Sequence, residues 1–213
     1  MKLIGSFGSP YTRRVAITLK LYGLDYQMHK RGPFGEEKAK LREYNPLGRV
    51  PILVRSNGES LVESSMILDY LDSLVEAEKR LTPMSGEERW TILNYASVAS
   101  GATDKLVSTL YEFHFRPKEL IYKPWVRMCD QQVADSFQWL NNRLKGRHFV
   151  GDRLTQADVS IAVFWQFGRD KRQKFFDRMN CSAIQALSDR LAETDEYQAT
   201  PSEGGLPEGI ALG

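Results

Sequence analysis

The pattern of apolar positions divides the chain into a first part with strand-like and helix-like segments and a second part with helix-like segments only. Residues 2–4 form a short apolar run that predicts a first strand. Beyond residue 9, apolar residues recur at helical spacing as far as Gly23, a glycine suited to follow the end of a helix. Ser9 directly precedes Pro10, the order expected of an N-cap and a first helical residue. The chain therefore begins with a strand, a turn and a helix.

A second strand and a short helix follow. Residues 26–30 predict a modest strand, which lies parallel to the first because a helix connects the two. Residues 36–44 predict a short, charged and exposed helix. Pro51 then opens a β-branched run, and a proline fits best as the first residue of a strand, where a cis Val50–Pro51 bond can turn the chain.

A hairpin and a helix complete this part. The Asn57-Gly58 pair predicts a tight turn into a strand over residues 60–63. Ser64 starts a helix whose predicted apolar face ends at Leu74. The order β-α-β-α-β-β-α is that of a thioredoxin-like domain, in which helices cover both faces of a mixed sheet. We assign residues 1–78 to this domain.

The character of the sequence changes at the predicted linker, residues 79–84, where Pro83 interrupts a charged stretch. Residues 85–213 show only helical periods and predict an all-helical second domain. A capping box over residues 85–88 is expected to open a long helix over residues 90–114. Pro117 and Pro124 are expected to break that helix.

Three further features are predicted in the second domain. A helix over residues 125–144 ends before Gly146, and Thr155 with Asp158 forms the capping box of a largely apolar helix over residues 159–167. Asn180 caps a last helix that runs to Leu191. The tail from Thr194 is rich in Gly, Pro, Glu and Ser and is expected to be loosely held.

Composition narrows the class of protein. Lys plus Arg is 29 and Asp plus Glu is 27, so the net charge of +2 predicts neither a nucleic-acid partner nor an anionic membrane surface. No apolar run approaches the length needed to span a bilayer, and the N-terminus lacks a secretory apolar region. The two cysteines form no CxxC and the three histidines have no metal-ligand spacing, which favours a cytoplasmic protein without a metal.

Ser9 has two interpretations. It caps the first helix and does nothing more, or its hydroxyl, beside the free amides of a helix start, also binds an anion. In the predicted fold it shares one sheet edge with the Val50–Pro51 pair and with Glu63-Ser64. The Val50 backbone can pair with an extended peptide, Glu63 with an ammonium group, and Ser64 with a carboxylate. A ligand with an α-amino-acid end, a peptide middle and a thiol near Ser9 would satisfy all three positions.

These residues resemble the cytosolic glutathione transferases over most of the chain. Residues 9–15, with Arg14 five residues after the serine, are similar to the catalytic-serine segment of the serine-type classes, especially the plant tau class. Residues 45–51 resemble the loop that carries the family's cis-proline, and Glu63-Ser64 resembles the pair that binds the γ-glutamyl group. Thr155 and Asp158 resemble the capping box of the buried helix in the family's second domain.

The resemblance implies a homodimer with a glutathione-binding first domain and a second domain that supplies a pocket for a small hydrophobic electrophile. Ser9 would hydrogen-bond the thiolate, and Val50, beside Pro51, would pair with the cysteinyl backbone. Glu63 and Ser64 would bind the glutamyl group. Arg49 would approach the glycyl carboxylate, a role that Lys38 or Lys40 could share, and Asp104 could reach the glutamyl amine across a dimer.

The predicted function is nucleophilic attack by a glutathione thiolate on an apolar electrophile. Tyr11 is an alternative partner for the thiolate. A non-catalytic glutathione-binding protein and a glutathione-dependent isomerase or dehalogenase are alternatives that would use the same site.

Overall fold

The computed structural model describes residues 1–35 and 37–203, which form two compact units. The first unit comprises the described residues of Met1–Met84 and of 193–203, and the second comprises Ser85–Ala192. Among the described residues, no helix combines the length and the apolar composition that crossing a bilayer would need.

The first unit has the predicted thioredoxin-like order. Its elements are β1 (Lys2–Gly5), α1 (Pro10–Leu21), β2 (Gln27–Lys30), α2 (Glu37–Leu41), β3 (Ile52–Val54), β4 (Ser60–Val62) and α3 (Ser64–Asp72). The strand order is β2-β1-β3-β4, with β1 and β2 parallel and the other two pairs antiparallel. The mixed sheet and the parallel first pair are confirmed. Residue 36, the predicted start of the second helix, lies outside the described residues.

Two local features of this unit follow from its sequence. Gly23 has φ +64, a conformation that glycine adopts at little cost, directly after the C-cap of α1. The Val50–Pro51 peptide bond is cis, as predicted.

Leu74 does not extend the apolar face of α3, because α3 ends at Asp72 and the Leu74 side chain is 42% exposed.

The second unit is helical, with different boundaries from those predicted. Its helices are α4 (Glu87–Phe115), α5 (Lys123–Asn141), α6 (Gln156–Phe176) and α7 (Ser182–Ala192). The predicted capping box at the start of α4 is wrong. Gly86 occupies the N-cap position and has no side-chain oxygen to accept a hydrogen bond from a backbone amide. Pro124 does not break a helix: it lies in the first turn of α5, where its missing amide has no intrahelical partner to lose.

Helix α6 confirms the capping box and extends further than predicted. Asp158 accepts from the Thr155 amide at 2.8 Å and from the Thr155 hydroxyl at 2.7 Å. The helix continues to Phe176 with a kink at Arg172, whose φ and ψ are −142° and 52°. Arg172 donates to both carboxylate oxygens of Asp130 on α5 and to the Thr109 hydroxyl on α4. These contacts are long-range, so apolar periodicity could not reveal them.

The start of α7 is capped by a different asparagine from the one predicted. Asn141 Oδ1 accepts from the amides of Ala183 at 3.0 Å and Ile184 at 3.2 Å. Asn141 belongs to the last turn of α5, so the cap comes from a neighbouring helix. Asn180 instead adopts φ +21 in the preceding turn.

The segment after Ala192 is not loosely held as far as the structure describes it. A short helix, α8 (Asp195–Gln198), contains Tyr197, whose side chain is 3% exposed, and Thr200 is fully buried. This segment packs with the first unit and not with the helical domain to which the sequence assigned it. The remainder of the predicted tail, residues 204–213, lies outside the described residues.

Candidate functional site

The strand register brings the three predicted site segments to one edge of the sheet. Ile4 on β1 pairs with Ile52 on β3, and Ile52 pairs with Val62 on β4. The turn with Ser9 follows Ile4, the Val50–Pro51 bond precedes Ile52, and the Glu63-Ser64 pair follows Val62. Three adjacent strands therefore present these segments side by side.

The width of this edge suits a short peptide. Neighbouring strands are about 4.8 Å apart, so the row from β1 to β4 spans roughly 10 Å. An extended tripeptide spans about 10 Å as well, at about 3.3–3.6 Å per residue. The edge can therefore bind the two ends and the middle of one tripeptide at once.

Ser9 caps α1. Its φ and ψ of −86° and 119° are extended, and its Oγ accepts from the Thr12 amide at 3.3 Å. The Ser9 amide itself donates to the Ser6 carbonyl at 3.1 Å, which closes the turn. Because the cap uses a lone pair of the hydroxyl, the hydroxyl proton can still be donated to an anion. Tyr11, the alternative thiolate partner, is half-buried in the first turn of the same helix.

The loop before β3 is held by a residue that the sequence analysis quoted but gave no role. Asn45 is 1% exposed; its Oδ1 accepts from the Leu47 amide at 3.0 Å, and its Nδ2 donates to the Arg49 carbonyl at 3.0 Å. Among the described residues, neither the amide nor the carbonyl of Val50 has a backbone partner. Asn45 thus fixes a loop that leaves the Val50 backbone available to an extended ligand. The Asn45-Pro46 pair, which favours a turn, is the sequence signal for this role.

The turn into α3 combines an unusual backbone conformation with a buried hydroxyl. Glu63 has φ +65 and ψ 122, although it is not a glycine, and its side chain is exposed. Ser64 is 4% exposed, and its Oγ accepts from Arg14 Nε at 3.1 Å and from Arg14 Nη2 at 2.6 Å. Arg14, on α1, is itself 3% exposed. Sequence analysis noted this arginine by its spacing from Ser9 but missed that it orients Ser64.

The candidate cations for a terminal carboxylate differ in their surroundings. Arg49 is exposed, and Lys38 is half-buried beside Gly48. Lys40 already pairs with Glu37 at 2.7 Å, and Arg31 pairs with the same carboxylate at 2.6 Å. The Lys40 hydrogen bond, followed by the charges of both cations, lowers the pKa of Glu37. Arg49 and Lys38 are therefore better placed than Lys40 to bind a carboxylate.

The described residues, 1–35 and 37–203, contain no group of three or more His, Cys, Asp or Glu side chains that could hold a metal ion. The site is built instead from hydroxyl groups, backbone amides and cations, which are suited to binding an anionic or peptide-like molecule.

The fold is that of a thioredoxin-like domain with a sheet edge suited to a peptide-like ligand, followed in the chain by a helical domain. The family model "Glutathione S-transferase, N-terminal domain" matches residues 3–79, and the model "Glutathione S-transferase, C-terminal domain" matches residues 105–195. The chain belongs to the glutathione S-transferase family.

Individual relatives agree with this assignment. The chain is 30% identical over 162 residues to the uncharacterized GST-like protein YibF of Escherichia coli, a match that covers 76% of this chain and 79% of that protein. It is 34% identical over 90 residues to glutathione S-transferase U8 of Arabidopsis thaliana, covering 42% of this chain and only 40% of that protein.

A solved structure shows the same fold. A glutathione S-transferase from Methylobacterium radiotolerans, crystallised in complex with glutathione sulfonate, superimposes with a TM-score of 0.88 at 23% identity, over 99% of both chains. The thioredoxin-like and helical architecture predicted from the sequence is confirmed.

Proposed function

We propose that the protein is a glutathione transferase in which the Ser9 hydroxyl donates a hydrogen bond to the thiolate of glutathione. The observation that carries the proposal is the geometry of Ser9: its Oγ caps α1 through the Thr12 amide at 3.3 Å, at the sheet edge shared with Val50 and Ser64. The cap fixes the oxygen in place and leaves the proton for the sulfur.

The size of the effect required is within reach of one hydroxyl. Lowering a thiol pKa from about 8.5 by about two units needs roughly 2.7 kcal/mol of preference for the anion. A hydrogen bond to a charged group contributes about 1.5–3 kcal/mol. A helix N-terminus adds about 0.3–1 kcal/mol. No histidine acting as a general base is required.

The reaction then proceeds by substitution or addition. The thiol proton leaves to solvent, and the thiolate sulfur forms a bond to the electrophilic carbon of an apolar substrate. In a substitution, the leaving group departs with the electron pair of the bond that breaks. Ser9 keeps its own proton and acts by stabilising the anion before attack.

The remaining contacts of the tripeptide follow from the edge geometry. The Val50 backbone, turned at Pro51, pairs with the cysteinyl residue; Glu63 and Ser64 bind the glutamyl group; and Arg49 binds the glycyl carboxylate. The family assignment supports this ligand, as does the glutathione sulfonate bound to the Methylobacterium protein with the same fold.

Three substitutions at Ser9 separate catalysis from helix capping. Ser9→Ala removes the hydroxyl and the cap, whereas Ser9→Gly removes the hydroxyl but costs the cap only a few tenths of a kcal/mol. Ser9→Thr keeps the hydroxyl. We expect Ala and Gly to lower turnover of a generic aryl halide at least ten-fold with the fold intact, and Thr to retain more activity than either.

Other results would point elsewhere. If Ser9→Gly remains fully active, Ser9 is only a cap, and Tyr11→Phe becomes the decisive variant for the thiolate. If calorimetry finds glutathione binding but no electrophile reacts, the protein is a non-catalytic glutathione-binding protein. Activity that leaves glutathione unconsumed would indicate an isomerase, and release of halide with oxidation of glutathione a dehalogenase.

The protein is further proposed to be a homodimer in the cytoplasm. The first unit exposes large apolar side chains, with Leu47 59% and Met66 50% exposed, which an interface would cover. Both cysteines are free thiols, which suits a reducing compartment. Analytical ultracentrifugation of the wild type and of Met66→Glu tests the dimer: the variant should shift toward monomer.

A further inference from the structure

The segment that follows α8 returns to the turn that carries Ser9. Its first attachment is at Thr200, whose carbonyl accepts from Arg13 Nε at 2.6 Å. Arg13, on α1, is 4% exposed, and its guanidinium lies 5.6 Å from the centre of the Tyr197 ring. Since α1 begins directly after Ser9, this attachment joins the C-terminal segment to the helix that Ser9 caps.

The second attachment is at Glu203 and reaches the residue next to Ser9. A Cβ placed on Gly8 would lie 2.6 Å from the Glu203 carbonyl oxygen, closer than real Cβ atoms approach such an atom. The next atom of another residue near that position would be Ser6 Oγ at 3.6 Å, an ordinary contact. The backbone at Glu203 therefore packs directly against the backbone of the turn, and only glycine at position 8 permits this approach.

The Glu203 side chain also forms an ion pair with the end of β2. Glu203 Oε1 accepts from Lys30 Nζ at 2.6 Å, and Lys30 is the last residue of β2. The two side chains are 66% and 34% exposed, so this pair contributes little to stability by itself. The pair lies at the edge at which β1 ends, because Gly5 pairs with Lys30.

We propose that residues 201–203 position the Ser9 turn and so help set the pKa of the bound thiol, an inference that rests on the proposed function of Ser9. Thr200 attaches the segment to α1, Glu203 attaches it to β2, and the Glu203 carbonyl packs against Gly8. A hydroxyl stabilises an anion only while its oxygen stays within hydrogen-bond distance of it, so a turn free to move would bind the thiolate less well. Residues 201–203 are positioning residues that act through Gly8 on Ser9.

The test is a double-mutant cycle built from Gly8→Ala and a chain that ends after Thr200. In the full chain the added methyl group displaces Glu203, so Gly8→Ala should raise the apparent pKa in the pH profile of kcat/KM by about one unit, which lowers the rate at pH 6 about ten-fold and the rate at pH 9 much less. In the shortened chain the close contact with the Glu203 carbonyl is gone, and the 3.6 Å approach to Ser6 Oγ is an ordinary contact. There Gly8→Ala should add less than a two-fold effect.

Controls make the cycle decisive. A chain that ends after Glu203 lacks only residues 204–213 and should match the full chain, whereas the chain that ends after Thr200 should match Gly8→Ala. Ultraviolet absorbance of the bound thiolate reports the same pKa without an electrophile. Glu203→Gln, which removes only the ion pair, should change the rate at pH 6 and at pH 9 less than two-fold.

Two results would overturn the inference. One is an equal loss of rate at pH 6 and pH 9, which indicates general loosening of the fold; the other is an additive cycle, which indicates that Gly8 and the segment act separately. Ser9→Gly, measured in parallel, distinguishes failure of the proposed role of Ser9 from failure of the positioning role of residues 201–203. If Ser9→Gly is also without effect on the thiol pKa, the role of Ser9 is wrong, whereas an effect of Ser9→Gly alone rejects only the positioning role.

Discussion

Arg14 and Ser64 lie fifty residues apart in sequence and form a buried, two-donor hydrogen bond between the first and third helices. Arg14 donates from Nε at 3.1 Å and from Nη2 at 2.6 Å to the Ser64 hydroxyl oxygen. Arg14 lies in the helix that Ser9 caps, and Ser64 begins the helix beside the proposed glutamyl site. The proposed thiolate and glutamyl ends of the site are therefore linked through one arginine.

Arg14→Lys is expected to weaken glutathione binding more than it slows the chemical step. A lysine keeps the charge but lacks the planar group that directs two donors to one oxygen, so Ser64 becomes free to rotate. We expect the KM for glutathione to rise about five- to ten-fold with a change in kcat of less than three-fold. Steady-state kinetics with varied glutathione measures both quantities.

Because Arg14 has further interactions, the bond to Ser64 is isolated by a cycle with Ser64→Ala. Coupled neighbours usually show an interaction energy of about 0.5–3 kcal/mol. A coupling near zero in glutathione affinity would mean that Arg14 supports the fold without orienting Ser64.

Glu63 holds a left-handed conformation that costs free energy in the absence of ligand. At φ +65 a non-glycine residue carries strain of about 1–3 kcal/mol, and glycine removes it. Glu63→Gly should therefore be at least as resistant to thermal unfolding as the wild type, while the KM for glutathione rises at least ten-fold because the carboxylate is lost. Glu63→Gln, which keeps the side-chain size, should lose affinity without gaining thermal stability.

Asp72 gives the stability of the first unit a pH dependence opposite to that of most carboxylates. The side chain is 2% exposed and accepts from the Tyr22 hydroxyl and, at 3.3 Å, from the Thr82 amide. Burial raises the pKa of this carboxyl above its ordinary value of 3.8, more than these hydrogen bonds lower it. The folded state then binds the proton more tightly than the unfolded state does, so this contribution to the free energy of unfolding falls as pH rises above 3.8.

Asp72→Asn removes the charge and keeps the acceptor oxygen. Relative to the wild type, the variant should gain stability as the pH rises above about 4, until the carboxyl of the folded wild type is itself ionised, as measured by urea unfolding at each pH. Glu76→Gln, at an exposed carboxylate four residues after Asp72, is the comparison for a general charge effect. A wild-type-minus-variant difference that does not change with pH would show that the Asp72 pKa is not raised.

Local patterns in the sequence predicted the fold of the first unit and brought the segments of the candidate site to one edge. The cis Val50–Pro51 bond, the α1 cap at Ser9 and the order of elements along the chain each follow from a few adjacent residues. The thioredoxin-like arrangement that this order indicates places Ser9, Val50 and Glu63 at one edge. The proposed ligand followed from that edge and from the resemblance to a family.

Long-range contacts could not be predicted in the same way. Arg14 and Ser64, Arg172 and Asp130, and the return of the chain after Ala192 depend on packing between elements far apart in sequence. The polar composition of residues 194–200 wrongly predicted a loosely held segment, because two buried side chains are enough to attach it to the first unit. The predicted cap at Asn180 failed for the same reason, since a neighbouring helix supplies the cap.

Asn141 is expected to stabilise the second unit without any effect on the proposed chemistry at Ser9. Its Oδ1 caps α7 by accepting from two amides, at 3.0 and 3.2 Å, so Asn141→Ala should lower the free energy of unfolding by about 1–2 kcal/mol. Exposed Asn142→Ala is the adjacent control and should cost less than half as much. Equal losses in the two variants, measured by urea unfolding, would reject the cap.

The protein's own cysteine thiols are not expected to react or ionise in assays that follow the thiol of glutathione. Cys129 and Cys181 are both buried and free, and burial raises the pKa of the Cys181 thiol to about 11 and raises that of Cys129 as well. Since the thiolate is the reactive form, neither side chain should react with a disulfide reagent within minutes at pH 7.5 in the native protein, whereas both should react at once in denaturant. Cys129→Ser and Cys181→Ser, made singly, identify which thiol becomes accessible to the reagent first when the native protein is warmed. Rapid labelling of the native protein at pH 7.5 would show that one of the two thiols is accessible, and the absorbance measurements of the bound thiolate would then have to be made in the variant that lacks it.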